Sequence, residues 1–326
     1  MSILVCGGAG YIGSHMVLEL IKKNYDVVVI DNLSNGHKES VNENAKFYYG
    51  DIRDENLLNK IIVAENIEAV IHFAAYSLVG ESIINPAKYY ENNVLATFSL
   101  LNTMRKNNLD KIIFSSTAAV YGEPNSIPIY ENNPVNPINP YGETKIVIEK
   151  MLNWFDKAYG IKYAVLRYFN VAGADESGLI GEMHNPETHL IPVILKSILE
   201  NKKIKIFGND YPTKDGTCIR DYIHVTDLAN AHILALENLI KTMTSNTYNL
   251  GNNTGFSVME IINTAQLVTG KKINYEIAPR RIGDPAILIA SSTKAKEQLG
   301  WQPKFYQPEK IISSAWNWHK KLFNTK

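Results

Sequence analysis

Tyr141-Gly142-Glu143-Thr144-Lys145 places a phenol and an ammonium four residues apart, a spacing that sets both side chains on one face of a helix. Such a pair can make a base near neutral pH. Free tyrosine, with a pKa of about 10, is a poor base, but a positive charge a few ångströms away favours the phenolate. A Y-x-x-x-K spacing is common by chance, and an exposed helix start would carry it equally well. Its surroundings argue for chemistry. Pro134, Pro137 and Pro140 mark an irregular approach, and Ile146, Ile148, Met151, Leu152 and Phe155 give the following helix an apolar face, so the tyrosine stands at a loop-to-helix junction. Earlier in the chain, Ser115-Ser116-Thr117 closes the apolar run Ile112–Phe114 and brings hydroxyls to a strand end, where one of them can hydrogen-bond a substrate oxygen.

A nucleotide-binding start precedes these groups. Ser2-Ile3-Leu4-Val5-Cys6 reads as a strand, Gly7, Gly10 and Gly13 form G-x-x-G-x-x-G, and Ile12, Met16, Leu20 and Ile21 share one side of a helix. In strand, tight turn and helix of this kind the backbone approaches a pyrophosphate and the helix N-terminus faces it. The next strand, Val27-Val28-Val29-Ile30, ends in Asp31, about 20 residues past the glycines, where a carboxylate accepts from ribose hydroxyls and repels a 2′-phosphate. NAD is therefore expected rather than NADP. Asp51-Ile52, after Phe47-Tyr48-Tyr49, suits an adenine edge, and an ordinary turn aspartate explains it equally well.

Apolar runs at 69–73, 112–114 and 163–169 alternate with helical stretches. That pattern predicts an α/β fold with a doubly wound parallel sheet in the first 170 residues, with catalytic groups at the carboxyl ends of its strands. At 326 residues the chain suits about two domains of ~150 residues each. Thirty-three basic residues balance thirty-three acidic ones, so nothing draws the chain to nucleic acid or to an acidic membrane; small molecules or copies of itself are the expected partners. Cys6 and Cys218 are too few for a disulfide framework. The first apolar run is too short for a signal-peptide core, and no segment reaches the roughly 20 apolar residues of a membrane span, so a soluble cytoplasmic protein is expected.

GGAGYIG, SSTAAVYG, YGETK and Arg167-Tyr168-Phe169-Asn170 occur in this order, followed by Asp215–Val225 (DGTCIRDYIHV) and Ala278–Pro285 (APRRIGDP). Along its whole length the chain resembles the extended short-chain dehydrogenase/reductase family, and within it the sugar-nucleotide epimerases. The resemblance implies a Rossmann-type NAD unit over 1–171, onto which about 221–251 also pack, and a smaller α/β unit over 172–326 for a UDP-sugar. It makes Tyr141 the catalytic base, Lys145 the group that lowers its pKa and holds the nicotinamide ribose, and Thr117 the hydroxyl on the sugar's O4. Thr117 stands where enteric members have serine, but threonine keeps the donor and acceptor oxygen on a stiffer rotamer.

By the same matching, Gly7, Gly10, Tyr11, Ile12, Gly13, Asp31, Asn32, Asp51, Ile52, Phe73, Ala74, Asn92, Ser115 and Tyr168 join Tyr141 and Lys145 around a tightly bound NAD, while Ser77 replaces a lysine of enteric members. Asn170, Leu190, Phe207, Arg220, Arg281, Asp284 and Leu288 are assigned to the UDP-sugar, with the two arginines on the diphosphate, where guanidinium forks match phosphate oxygens. Leu288 takes the place of a bulky tyrosine beside the sugar's C2 substituent.

The implied chemistry is transient oxidation of a UDP-hexose at C4. Tyr141 takes the hydroxyl proton while hydride passes to NAD, the ketose turns, and both are returned on the opposite face, interconverting UDP-glucose and UDP-galactose. Dehydratases of the family need an acid and a base after the active-site threonine. Ala118-Ala119 can move no proton. A net sugar-nucleotide dehydrogenase or reductase with exchangeable NAD(H), and a non-catalytic NAD-binding regulator, are the competing readings.

Three further features take structural readings. Glu182, His184, Glu187 and His189 are all metal-ligand types, but Asn185-Pro186 breaks any helix that would align them and there is no H-E-x-x-H, so a polar substrate loop is expected and no metal. Tyr89, Tyr90, Leu95, Phe98, Leu100, Leu101 and Met104 form a helix surface whose default role is to cover the sheet. The resemblance adds that two such helices from each subunit build a homodimer. Trp316, Trp318 and His319 read as helix packing.

Overall fold

The structure, a computed structural model, describes residues 1–281 and 284–324, so Ile282 and Gly283 of the APRRIGDP stretch lie outside the described residues. In chain order the strands are Ser2–Cys6 (β1), Asp26–Asp31 (β2), Lys46–Tyr49 (β3), Ile67–His72 (β4), Lys111–Thr117 (β5), Lys162–Tyr168 (β6), Asn170–Ala172 (β7), Ile204–Phe207 (β8), Ile219–His224 (β9), Asn246–Leu250 (β10), Gly255–Ser257 (β11), Tyr275–Ala278 (β12) and Ile287–Leu288 (β13). The helices are Tyr11–Lys22 (α1), Glu55–Ala64 (α2), Val79–Ile84 (α3), Pro86–Tyr89 (α4), Ala96–Lys106 (α5), Pro140–Tyr159 (α6), Leu190–Glu200 (α7), Val225–Thr242 (α8), Val258–Thr269 (α9), Thr293–Leu299 (α10) and Pro308–Asn324 (α11), with a π-helical turn at Tyr90–Leu95 joining α4 to α5.

Seven parallel strands in the order β10-β6-β5-β4-β1-β2-β3 make the main sheet. Their near-continuous apolar sequences follow from burial on both faces. Alternation along β1 assigns its side chains to two cores. Ile3 and Val5 pack with Met16, Val17 and Leu20 of α1 and with Leu228 and Leu236 of α8. Leu4 and Cys6 pack with Leu58 and Ile61 of α2, Leu100 and Met104 of α5, and Leu152 of α6. Each such fully buried aliphatic side chain contributes roughly 1.5–3 kcal/mol. The strand order reverses between β1 and β4, which opens a crevice at their carboxyl ends, and there the glycine turn after Cys6 meets Phe73 and Ala74, whose N–H groups both donate to the Cys6 carbonyl.

The second half of the chain forms two smaller sheets, β11-β9-β13 with β7 also on β9, and the pair β12-β8. Their core holds Ile191, Ile194 and Leu195 of α7, Ile261 and Ile262 of α9, and Ile311 and Ile312 of α11. The helix surface running from Tyr89 to Met104 divides: Tyr89, Leu100, Leu101 and Met104 are buried, while Tyr90, Leu95 and Phe98 face outward, as do Trp154 and Tyr159 of α6. Trp318 and His319 are buried, and Trp318 Nε1 donates to the Glu182 carbonyl at 3.0 Å.

Burial also sets a pH dependence. It pushes His15, His232 and His319 down to about 4 and His72 and His224 to about 3. The unfolded chain therefore takes up protons below pH 6.5 that the folded chain refuses, at about 1.4 kcal/mol per pH unit for each histidine. Asp221, raised by burial to about 7, opposes one of the five. The expected result is a steep fall in melting temperature between pH 6.5 and 4.5, and a flat profile in thermal scans over that window would contradict it.

Candidate active site

Tyr141 sits in the first turn of α6, which Asn139 caps by accepting from Gly142 N–H at 2.9 Å and Pro140 opens with its preset φ. Position 142 admits only glycine at this spacing, because a Cβ there would lie 2.6 Å from the Ala119 carbonyl oxygen. The helix can thus press against the loop that carries Thr117. Thr117, at the end of β5, accepts from Ala119 N–H at 3.2 Å and lines the same cavity as Tyr141 and Lys145.

Among the three adjacent hydroxyls, alternation along β5 separates the partners. Ser116 donates to Glu149 at 2.6 Å on one side, and Ser115 pairs with the Tyr168 hydroxyl on the other. Thr117 hydrogen-bonds the Tyr141 phenol, which lowers its pKa against the larger effect of burial; the net direction is upward. Lys145 donates to the Ser115 carbonyl at 2.7 Å and its nitrogen lies 5.9 Å from the Tyr141 ring centroid. Burial brings it down to about 7 in spite of Glu149 one turn along the helix. The chain's own groups therefore hold the phenol above its ordinary value, where the sequence predicts a lowered one, because burial outweighs the Thr117 hydrogen bond.

The cavity has a volume of about 760 Å³. Gly7, Gly10, Tyr11, Ile12, Gly13, Phe73, Ser115, Tyr141, Lys145 and Tyr168 line its sheet side, and Asn170, Leu190, Asp284 and Leu288 its other side. Ser77, the short hydroxyl that replaces a lysine of enteric members, is also in the wall. Asp31, Asn32, Asp51, Ile52, Ala74 and Asn92 gather around an adjoining hollow that shares Gly7, Gly10 and Phe73 with the larger one. Gly13 opens α1 so close to the glycine turn that a Cβ would lie 2.1 Å from the Gly7 carbonyl oxygen. Asp31 accepts from Ala9 and Leu33 N–H at 3.0 and 2.8 Å, and burial raises its pKa. Asp51, held down to about 2 chiefly by the Arg53 fork, also accepts from Asn32 at 2.9 Å.

Phe207, Arg220 and Arg281 do not line the cavity. Arg220 is spent on the Asp284 carboxylate and the Ile219 carbonyl, and the Arg281 guanidinium stacks 4.1 Å over the Phe207 ring. The polar loop after β7 also departs from expectation. A bend at Asn185-Pro186 turns the chain back on itself and gathers Glu182, His184, Glu187 and His189, with ligand-type atoms all within 4.8 Å of one another. No helix is needed to align them.

Sequence reasoning missed Asn35, His37, Asn139, Phe169 and Tyr222 in the cavity wall. Asn35-Gly36, a turn dipeptide just past Asp31, was the one local signal for the first of these. It also missed a buried network behind the site: Glu149 takes the Arg167 fork together with Ser116, Arg167 Nη1 donates to Tyr121 at 2.9 Å, and Tyr121 donates to Asn249 at 2.7 Å.

A glycine turn at a sheet crevice, an acid at the end of the second strand and a Thr-Tyr-Lys group in one cavity are the parts that a dinucleotide-dependent redox site requires. The sequence model described as "NAD dependent epimerase/dehydratase family" matches residues 3–251. The chain belongs to that family.

Among relatives in the epimerase/dehydratase family, a UDP-glucose 4-epimerase of Halalkalibacterium halodurans is 57% identical over 321 residues, covering 98% of this chain and 96% of its own. A crystal structure of a UDP-glucose 4-epimerase superposes with a TM-score of 0.97 at 55% identity, over 98% of both chains. The UDP-glucose 4-epimerase of Brucella ovis, solved in complex with NAD, gives 0.94 at 46% identity over 97% of both. Ala118 and Ala119, next to Thr117 in the cavity wall, carry no group that can move a proton.

Proposed function

We propose that this chain is an NAD-dependent 4-epimerase of UDP-hexoses that interconverts UDP-glucose and UDP-galactose in galactose metabolism. The observation that carries it is the meeting of Thr117, Tyr141 and Lys145 in one cavity, with the glycine turn on one side, Asn170, Leu190 and Leu288 on the other, and proton-inert Ala118-Ala119 between. The likeness to UDP-glucose 4-epimerases over nearly the whole chain supports the substrate.

Bound NAD supplies the acceptor, and then the donor, of the C4 hydride. Tyr141 takes the O4 proton as the hydride leaves and returns it when the hydride comes back. Thr117 holds O4 against the phenol. Lys145, fixed by the Ser115 carbonyl, reaches the nicotinamide ribose and supplies positive charge beside Tyr141. The glycine turn takes the pyrophosphate, Asp31 the adenosine ribose hydroxyls, and Asn32, Asp51, Ile52, Ala74 and Asn92 the adenine end. Arg220 and Arg281 serve the UDP diphosphate, which requires them to swing from Asp284 and from Phe207.

Purified protein carried through desalting should convert UDP-galactose to UDP-glucose with no added NAD. Dependence on added NAD, with net formation of NADH, would establish the competing dehydrogenase reading instead. Leu288, at the cavity wall, leaves room beside the sugar's C2, so UDP-N-acetylglucosamine is a further substrate. Leu288→Tyr should lower its turnover by about tenfold or more while sparing UDP-galactose, a discrimination of the size that steric exclusion in a pocket gives. Equal turnover of the acetylated sugar by both proteins would remove Leu288 from this role.

The division into an NAD unit of 1–171 with about 221–251, and a UDP-sugar unit from 172 onward, follows the same reading; α8 lies in the core shared with α1, and β10 extends the main sheet. Leu95, Phe98, Trp154 and Tyr159, exposed on α5 and α6 or the turn before α5, suit a homodimer built from two helices of each subunit. Two buried free cysteines suit the cytoplasm, and among the described residues no helix is long and apolar enough to cross a membrane.

A further inference from the structure

We propose that Glu182, His184, Glu187 and His189 form a structural site for one zinc-class divalent cation on the loop that leads into α7. The four donors come from eight consecutive residues, folded back at Asn185-Pro186. Glu182 Oε1 lies 3.1 Å from His184 Nδ1 and also contacts His189 Nδ1, Glu187 Oε1 lies 3.9 Å from His184 Nδ1, and all the ligand-type atoms fall within 4.8 Å of each other. Four donors around a tetrahedral ion at 2.0–2.1 Å stand about 3.4 Å apart, so small side-chain movements reach that geometry.

A second observation points to a cation. The Glu187 side chain is only 6% exposed; its Oε1 accepts from the Thr188 and His189 N–H groups at 2.9 and 3.1 Å, and its Oε2, with no hydrogen bond, lies 3.8 Å from the Lys196 ammonium. The Glu182 side chain is 3% exposed and faces imidazoles alone among the described ion pairs. Two carboxylates buried this deeply call for positive charge beside them, and a divalent ion held between the four side chains would supply it together with Lys196.

Two imidazoles among the donors select a borderline first-row ion over calcium or magnesium, and four protein donors close the shell against substrate. The ion is therefore structural. The imidazoles line the cavity, which gives it an entry path. The loop backbone is already anchored: Trp318 donates to the Glu182 carbonyl, and the His37 ring hydrogen-bonds the Met183 carbonyl at 2.9 Å. Such an ion would hold Leu190, next in sequence to His189, and the Tyr11 ring, which meets His184 edge-on with centroids 6.2 Å apart, in their places on the wall.

The test uses NAD-loaded protein treated with a chelator, desalted and titrated with zinc chloride by calorimetry, with metal content read by mass spectrometry. One ion per chain is expected, with Glu187→Gln and His184→Asn each weakening binding by about tenfold or more, the loss typical when a metal site is depleted of a supporting group. Cobalt should give the visible absorption of a tetrahedral ion in the parent protein and not in the His184→Asn/His189→Asn variant. Far-ultraviolet circular dichroism and a cooperative thermal transition identify variants that have folded. No stoichiometric zinc, or zinc binding unchanged in both single variants, overturns the site and leaves the four groups as mutual ion pairs. Neither result depends on the epimerase reading, since no turnover is measured.

Discussion

Tyr141→Phe should keep the fold and the bound NAD while lowering turnover of UDP-galactose by about 10²- to 10⁴-fold, the usual contribution of a positioned proton-transfer group. Phenylalanine preserves the ring that packs in the first turn of α6. The Asn139 cap, the Lys145 bond to the Ser115 carbonyl and the glycine turn are untouched by the change. Only the hydroxyl facing Thr117 goes. The loss should appear in kcat rather than in KM, because the phenol acts on the reacting proton. The direction of its pKa adds a second signature: burial raises the phenol, so the active phenolate grows as pH rises, and turnover of the parent protein should climb from neutral toward alkaline pH. The residual activity of the variant should lose that climb. Steady-state rates with UDP-galactose across the range decide it, and near-normal turnover would take the base role from Tyr141.

Arg167→Ala should cost about 3–5 kcal/mol of stability, read as a lower midpoint in chemical denaturation. The Arg167 and Glu149 side chains are 8% and 10% exposed, and the guanidinium fork spans both carboxylate oxygens. Removing it leaves Glu149 buried with Ser116 as its remaining hydrogen-bond donor in the network, and strips Tyr121 of a donor. The damage should also reach the active site. Glu149 lies one turn from Lys145 and supports its charge, so a carboxylate displaced by the loss of its guanidinium partner changes the support that Lys145 receives. Glu149→Gln separates the two effects, since the amide oxygen can still accept from Arg167 Nε and Ser116 while the charge and the acceptor for Arg167 Nη2 are lost. It should be milder in stability and should still move the pH dependence of turnover. A variant at Arg167 as stable as the parent would show that the pair contributes nothing net.

Both sites illustrate where sequence reasoning stops. Tyr141 and Lys145 were visible because their relation is local, set by the helical period over four residues. Arg167 and Glu149 are eighteen residues apart on a strand and a helix, and nothing in either neighbourhood announces the partner. The same contrast separates Thr117 from its neighbours. The run Ser115-Ser116-Thr117 showed hydroxyls at a strand end, but which of them faces the cavity depended on strand phase against α6 and β6. The arginines show a further limit. Likeness to a family places Arg220 and Arg281 near a diphosphate, whereas folding alone satisfies one with Asp284 and stacks the other on Phe207, because an unpaired guanidinium finds the nearest carboxylate or ring.

The sequence by itself determined the strand-turn-helix at Gly7–Gly13, the acid at the end of β2, the parallel α/β class and the tyrosine–lysine turn. Each is written in consecutive residues whose spacing obeys a helical or strand period. Tertiary structure alone decided the buried Glu149–Arg167 network, the net upward direction of the Tyr141 pKa and the gathering of two glutamates and two histidines around a bend. Those features depend on burial and on contacts between segments far apart in the chain, or on the path of an irregular loop. No local period encodes them.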